Sequence, residues 1–108
     1  MSSPEQQSLD QIRAGIDGVD RELVRLLGER ERLVRQAGRL KSDTAAVRAP
    51  DRVEQVIARV RAVAVDLGAS PAVVERTYRA MIAAFIDLEL AVHYPEASAR
   101  HPTPPDPD

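Results

Sequence analysis

Cationic side chains are the residues of this 108-residue chain whose types and spacing point to chemistry. Of the 15 basic residues, 14 are arginine and one, Lys41, is lysine. A GC-rich coding bias accounts for an arginine surplus, but a compact ammonium and a planar guanidinium are not chemically interchangeable. Lys41 is therefore a position where the choice of cation has a chemical consequence.

Arg30 and Lys41 have a spacing that places both on one face of a helix. At 100° and 1.5 Å per residue they lie within about 20° of each other and about 16 Å apart along the axis. Two side chains of this length can converge on a small ligand, and their face also carries Leu23, Leu27 and Val34. The arginines elsewhere on the helix are expected to be solvated charges: Arg21, Arg25, Arg32, Arg35 and Arg39.

Arg13 lies too far from Arg30 to share a ligand with it inside one chain. It lies about 25 Å nearer the N-terminus of the helix than Arg30 and is rotated by about 100° from it around the helix axis. In a dimer whose long helices run antiparallel, however, the N-terminal end of one helix lies beside the C-terminal end of the other. In such a dimer an arginine can be supplied across the subunit interface.

Glu89 is an acidic residue in an apolar stripe. On a helical wheel it falls within about 40° of Tyr78, Ile82 and Phe85. A buried carboxyl is protonated or paired. Two simpler interpretations are a frayed helix end that lets Glu89 reach solvent, and a pairing with an arginine that serves dimer specificity.

These residues together suggest a binding site for a small dianion. The chain has no cysteine, and His93 and His101 lie at or beyond the end of the last predicted helix. No metal-ligand spacing, phosphate-binding loop or nucleophile is recognisable, so no cofactor and no metal are expected. What remains is electrostatic stabilisation and conformational restraint of a bound substrate.

The scaffold that positions these residues is predicted to be all-α, with one long and two shorter helices. The capping box Ser8–Gln11 begins a stripe that runs without proline over residues 8–41, roughly 50 Å of helix. A loop is expected over 42–49. A second helix follows from Pro50 to a cap at Gly68, and a third runs from a cap at Ser70 to about residue 93.

The domain organisation follows from these elements. A flexible N-terminus over 1–7 precedes a helical domain over 8–94, and a proline-rich disordered tail covers 95–108. One helix far longer than the others can cover predicts an intertwined homodimer.

Charge and hydropathy exclude several classes of protein. Residues 1–94 hold 14 cations and 14 anions, which disfavours nucleic-acid binding because that needs a basic face. No signal peptide and no apolar run of about 18 residues is present, so a cytoplasmic protein without membrane contact is expected. Without cysteine, no disulfide scaffold is possible.

The chain resembles the all-helical chorismate mutases over about residues 8–94. The resemblance rests on two segments, QIRAGIDGVDRELVRLLGERERLVRQAGRLK, residues 11–41, and VRAPDRV, residues 47–53. The resemblance implies an intertwined helical homodimer with two active sites, each completed by an arginine of the partner. It also implies an isomerase of the shikimate pathway, in aromatic amino acid biosynthesis, that rearranges chorismate to prephenate by a pericyclic Claisen step without a cofactor.

The resemblance also implies roles for individual residues. Arg13 from the partner and Arg30 hold the two substrate carboxylates, and Lys41 donates to the ether oxygen. Arg52 lies nearby at the start of the second helix, and the 42–49 loop acts as a lid.

Two residues depart from the pattern of the family that the chain resembles. Familiar bacterial members have glutamine at Glu89, and a carboxylate there repels the charge that develops on the ether oxygen. Glu89 can therefore donate only when protonated, so the rate is expected to rise as pH falls and Glu89→Gln to flatten that profile. Typical mutases have glutamate at Val53, where it contacts the ring hydroxyl.

These departures leave alternatives open. Isochorismate-pyruvate lyases share a pattern like Ala49–Val53. Mutases of 4-amino-4-deoxychorismate are also similar to the chain, and a carboxyl at Glu89 is interpretable as an adaptation to their positively charged substrate. A helical dimerisation or regulatory module without catalysis is the alternative from another class. It predicts that Arg30→Ala and Lys41→Ala leave function intact.

Overall fold

The computed structural model describes residues 7–96, and most of that range is helical. No strand occurs between residues 7 and 96, so the predicted all-α fold is confirmed. No helix in this range is both long and apolar enough to cross a bilayer. The predicted flexible N-terminus, up to residue 6, and the predicted tail, from residue 97, lie outside the described residues. The helices are α1 Leu9–Leu40, α2 Thr44–Arg48, α3 Pro50–Leu67 and α4 Pro71–His93.

The beginning of α1 is set by the predicted capping box. The Ser8 N–H donates to Oε1 of Gln11 at 2.8 Å, and the Gln11 N–H donates to Oγ of Ser8 at 3.1 Å. These bonds satisfy donors that have no partner within the first turn of a helix. The helix ends at Leu40, so both predicted ends are correct to within one residue.

The described chain divides into two compact units, and the boundary lies within α1 between Leu33 and Val34. The first unit consists of the α1 residues up to that boundary. The predicted apolar stripe is present there, and its large apolar side chains are exposed. They are Leu9, Ile12, Ile16, Val19, Leu23, Val24, Leu26, Leu27 and Leu33.

The second unit is built on the packing of α3 against α4. Gly68 adopts the left-handed conformation that ends α3, with φ 76°, and its N–H donates to the carbonyl of Ala64. The Ser70 side chain accepts from the Val73 N–H to cap α4, and Pro71 occupies its first turn. The turn predicted from these residues is confirmed. The buried apolar side chains of the unit are Val47, Ile57, Ala64, Ile82 and Leu90.

The segment predicted as a loop over 42–49 contains the short helix α2, so that prediction was wrong. The Asp43 side chain accepts from the Ala46 N–H at 2.8 Å and caps the helix. Val47 is buried, with 3% of its surface exposed, and α2 packs against α4. At Ala49 the backbone turns left-handed, with φ 34°, before Pro50 begins α3. Because Val47 anchors the segment, it is a packed element of the second unit.

Exposed ion pairs join α3 to α4 on the surface of the second unit. The Arg79 guanidinium donates to both carboxylate oxygens of Glu54, at 2.8 and 2.9 Å, and to Glu75 at 2.8 Å. These hydrogen bonds lower the pKa of both carboxyls. Solvent-exposed pairs contribute little to stability, so this network adds little to the free energy of packing α3 on α4.

Candidate active site

Lys41 and Glu89 form an ion pair in the second unit, although they are 48 residues apart in the sequence. The Lys41 ammonium donates to Oε1 of Glu89 at 3.3 Å and to Oε2 at 3.1 Å. The Glu89 side chain is 5% exposed, and that of Lys41 is 27% exposed. A carboxylate this deeply buried needs a partner, because removing an ion from water is costly.

This geometry tests one of the two simpler interpretations of Glu89 drawn from the sequence. Glu89 is buried in α4, as its place in the apolar stripe predicted. The expectation that it reaches solvent at a frayed helix end was therefore wrong. The structure pairs Glu89 with Lys41 within the chain, and the alternative of an arginine pairing that serves dimer specificity stays a prediction.

The backbone of Lys41 is held as well as its ammonium. Lys41 directly follows the last helical residue of α1, and its N–H donates to the Gly38 carbonyl at 3.3 Å. Its own carbonyl accepts a hydrogen bond of 2.8 Å from the Tyr94 hydroxyl. Residues at the end of α4 thus contact both ends of Lys41.

Gly38 lets the end of α1 approach α4 closely. A Cβ atom at this position would lie 2.8 Å from the His93 ring and 3.2 Å from Oε2 of Glu89. The Nε2 atom of His93 is buried, with no hydrogen-bond partner within the described residues. Sequence reasoning missed Gly38 and Tyr94 and set His93 aside. A glycine inside a helix costs about 1 kcal/mol relative to alanine, and that cost was the available signal of close packing.

Gly38→Ala is expected to destabilise the protein by about 1 to 3 kcal/mol, because the added methyl group overpacks the contact with His93 and Glu89. Thermal unfolding followed by circular dichroism measures this as a lowered Tm. The matched control is Gly18→Ala, since a Cβ atom at Gly18 meets nothing within 4 Å. Helix propensity alone would raise the stability of both variants, so an increase for Gly38→Ala would contradict the packing described.

The other predicted site residues are distributed over both units. Arg13 is exposed and Arg30 is half-buried, and both belong to the first unit. Arg52 is exposed in the first turn of α3, in the second unit with Lys41 and Glu89. The structure brings Lys41 and Glu89 together. The convergence of Arg30 with Lys41, and the reach of Arg13 into a partner, stay predictions.

The Lys41 ammonium gives the described site a means of electrostatic catalysis. Among residues 7–96 no group of histidine and acidic side chains is arranged to hold a metal ion, and the chain has no cysteine to act as a nucleophile. A half-buried ammonium can donate hydrogen bonds to an oxygen that gains negative charge. Such a donor is worth more in a partly dry site than in water.

The fold and the site together define an all-helical protein that presents a single ammonium, oriented by a buried carboxylate. Comparison with protein families matches residues 12–90 to the family described as chorismate mutase type II. The match covers most of α1, all of α2 and α3, and nearly all of α4. The chain belongs to the chorismate mutase type II family. No curated protein matches the sequence closely enough to be reported beside it.

Proposed function

We propose that this protein is a chorismate mutase, which rearranges chorismate to prephenate within one bound molecule. In this reaction the ether C–O bond breaks while a C–C bond forms, and the electron pairs move around a six-membered ring. No proton is transferred and no second reactant is consumed. The observation that carries the proposal is the half-buried Lys41 ammonium, because the ether oxygen becomes more negative as its bond breaks.

The remaining charges hold the substrate in a reactive shape. Arg30 and the partner subunit's Arg13 bind the two carboxylates, for which a planar guanidinium offers bidentate hydrogen bonds. Arg52, at the start of α3, adds positive charge nearby. Restraining the flexible enolpyruvyl arm over the ring removes much of the entropic part of the barrier. Family membership supports these roles.

The active protein is proposed to be an intertwined homodimer in which the α1 helices pack along each other. The exposed apolar side chains of the first unit support this. Monomeric proteins rarely expose contiguous apolar patches of such extent. A two-fold dimer would bury the same stripe on both subunits and create two equivalent sites.

Glu89 determines which substrate suits the site. Its carboxylate neutralises part of the Lys41 charge and repels the carboxylates and ether oxygen of a dianion. A substrate with an ammonium substituent would instead be attracted to it. Glu89 supports 4-amino-4-deoxychorismate as a second candidate substrate, and the Ala49–Val53 pattern supports the lyase reaction on isochorismate.

Glu89→Gln is expected to raise kcat/KM for chorismate about tenfold at neutral pH, because the amide removes a repulsive charge and adds a donor. The glutamine amide also keeps one oxygen that accepts a hydrogen bond from the Lys41 ammonium. The same variant is expected to lower kcat/KM for 4-amino-4-deoxychorismate. Initial rates with chorismate, isochorismate and the amino compound, with products identified by mass, measure both effects.

The matched control for Glu89→Gln is Asp87→Asn, an exposed acidic residue on the same helix. It is expected to leave all three rates within about twofold of wild type, since a solvent-exposed charge is screened. A fall of the Glu89→Gln rate with chorismate would contradict the assigned electrostatic effect. A fall confined to the amino compound, with no rise for chorismate, would identify the amino compound as the substrate.

A further inference from the structure

We propose that Tyr94 is a positioning residue for Lys41. Its hydroxyl fixes the backbone from which the side chain with the catalytic ammonium extends. The inference rests on the proposed function, since it assigns Tyr94 a role through Lys41. It is carried by one contact that the sequence did not reveal. The Tyr94 hydroxyl donates to the Lys41 carbonyl at 2.8 Å, in a partly buried setting.

The position of Lys41 explains why such a bond matters. Carbonyls at the end of a helix lack partners within the helix, and the chain can leave the helix in several directions. The hydrogen bond from Tyr94 satisfies one of these carbonyls and selects one direction. It therefore fixes the Lys41 backbone from which the flexible side chain extends.

Tyr94 is itself held in place by α4. Its N–H donates to the Leu90 carbonyl at 2.9 Å, and Leu90 is buried, with 2% of its surface exposed. Glu89, about one turn earlier, binds the ammonium of the same lysine. One end of α4 thus holds Lys41 at two points, Tyr94 at the backbone and Glu89 at Nζ.

Two points of attachment define a long side chain better than one. A lysine attached only through its ammonium can follow its partner while its backbone shifts. A displacement of about 1 Å in a catalytic group can cost up to about 100-fold in rate. Loss of the Tyr94 hydroxyl removes the backbone attachment and keeps the ion pair, so we expect a smaller loss of about tenfold in kcat, with KM within about twofold.

The experiment uses the full chain labelled with ¹³C,¹⁵N-lysine. Because Lys41 is the only lysine, every lysine signal in the NMR spectrum belongs to it. In Tyr94→Phe the Lys41 carbonyl ¹³C signal is expected to move, because that carbonyl loses its donor, while the Nζ signal keeps the position set by Glu89, and kcat is expected to fall. The control Tyr78→Phe removes the other tyrosine hydroxyl, from a half-buried position earlier on α4, and should change neither.

A second measurement does not depend on whether Tyr94→Phe folds. Incorporating 3-fluorotyrosine retains the ring and makes the phenol a stronger donor, so the Lys41 carbonyl ¹³C signal is expected to shift. The shift should persist in Tyr78→Phe, where Tyr94 is the only tyrosine left to carry the fluorine. Unchanged Lys41 signals in Tyr94→Phe, or no carbonyl shift with fluorotyrosine, would overturn the proposal.

The two proposals fail in different ways. Moved Lys41 signals in a protein that turns over no substrate would support the positioning contact and overturn the assigned reaction. A reduced kcat in Tyr94→Phe with unmoved Lys41 signals would overturn the positioning role and leave the reaction intact.

Discussion

Lys41→Arg is expected to lower kcat/KM for chorismate by about 10² to 10³-fold, although it keeps the positive charge. The ammonium is compact, and both oxygens of Glu89 hold it within 3.3 Å. A guanidinium is larger and planar, and it would pair bidentately with Glu89. Its donors would then be directed at the carboxylate instead of the substrate's ether oxygen. Initial rates across a range of chorismate concentrations measure the loss.

Arg39→Lys is the matched control for Lys41→Arg. Arg39 is an exposed basic residue in the last turn of α1, two positions before Lys41. The exchange of one cation for another there is expected to leave kcat/KM within about twofold, since exposed surface substitutions have small effects. A Lys41→Arg variant with rates near wild type and an unchanged circular dichroism spectrum would remove the special role of the ammonium.

Arg13→Ala and Arg30→Ala are each expected to reduce activity by about 10² to 10³-fold, and a mixture of the two is expected to recover part of it. In a mixed dimer, one site combines intact Arg30 with the partner subunit's Arg13, and the other site lacks both. After unfolding and refolding of an equal mixture, half of the dimers are mixed. Activity of about a quarter of wild type per chain should return for a two-fold symmetric dimer.

The same experiment contains its controls. Each variant refolded alone should stay inactive, and native mass spectrometry should show mixed dimers in the mixture. An inactive mixture that contains mixed dimers would contradict the sharing of arginines between subunits. A protein that stays monomeric at every concentration used for the assay would contradict the proposed homodimer itself.

Local signals in the sequence were sufficient for the main helix boundaries. Ser8 and Gln11 mark the start of α1, Gly68 marks the end of α3 and Ser70 marks the start of α4. Each acts through neighbouring backbone groups, so no knowledge of distant contacts is needed. The helix α2 was missed because five residues are too short to show a period. Its burial of Val47 depends on packing against α4.

The candidate site was only partly predictable, because its contacts join residues that are far apart in the sequence. The register of α4 placed Glu89 in an apolar stripe, and the structure buries it there. Its partner Lys41 lies 48 residues away, and the packing of the end of α1, at Gly38, against His93 and Glu89 brings the two together. The contacts at Gly38 and Tyr94 depend on that same packing. A helical wheel drawn for one helix gives the directions of its side chains but not the residues of other elements that they contact.

The central claim is most directly tested by incubating the purified full chain with chorismate and following the loss of substrate and the identity of the product. We expect prephenate of the same mass as chorismate, formed without an added cofactor or metal, at a rate that Lys41→Ala reduces by about 10³-fold. Release of pyruvate, turnover of the amino compound alone, or no turnover of any of these substrates would contradict it.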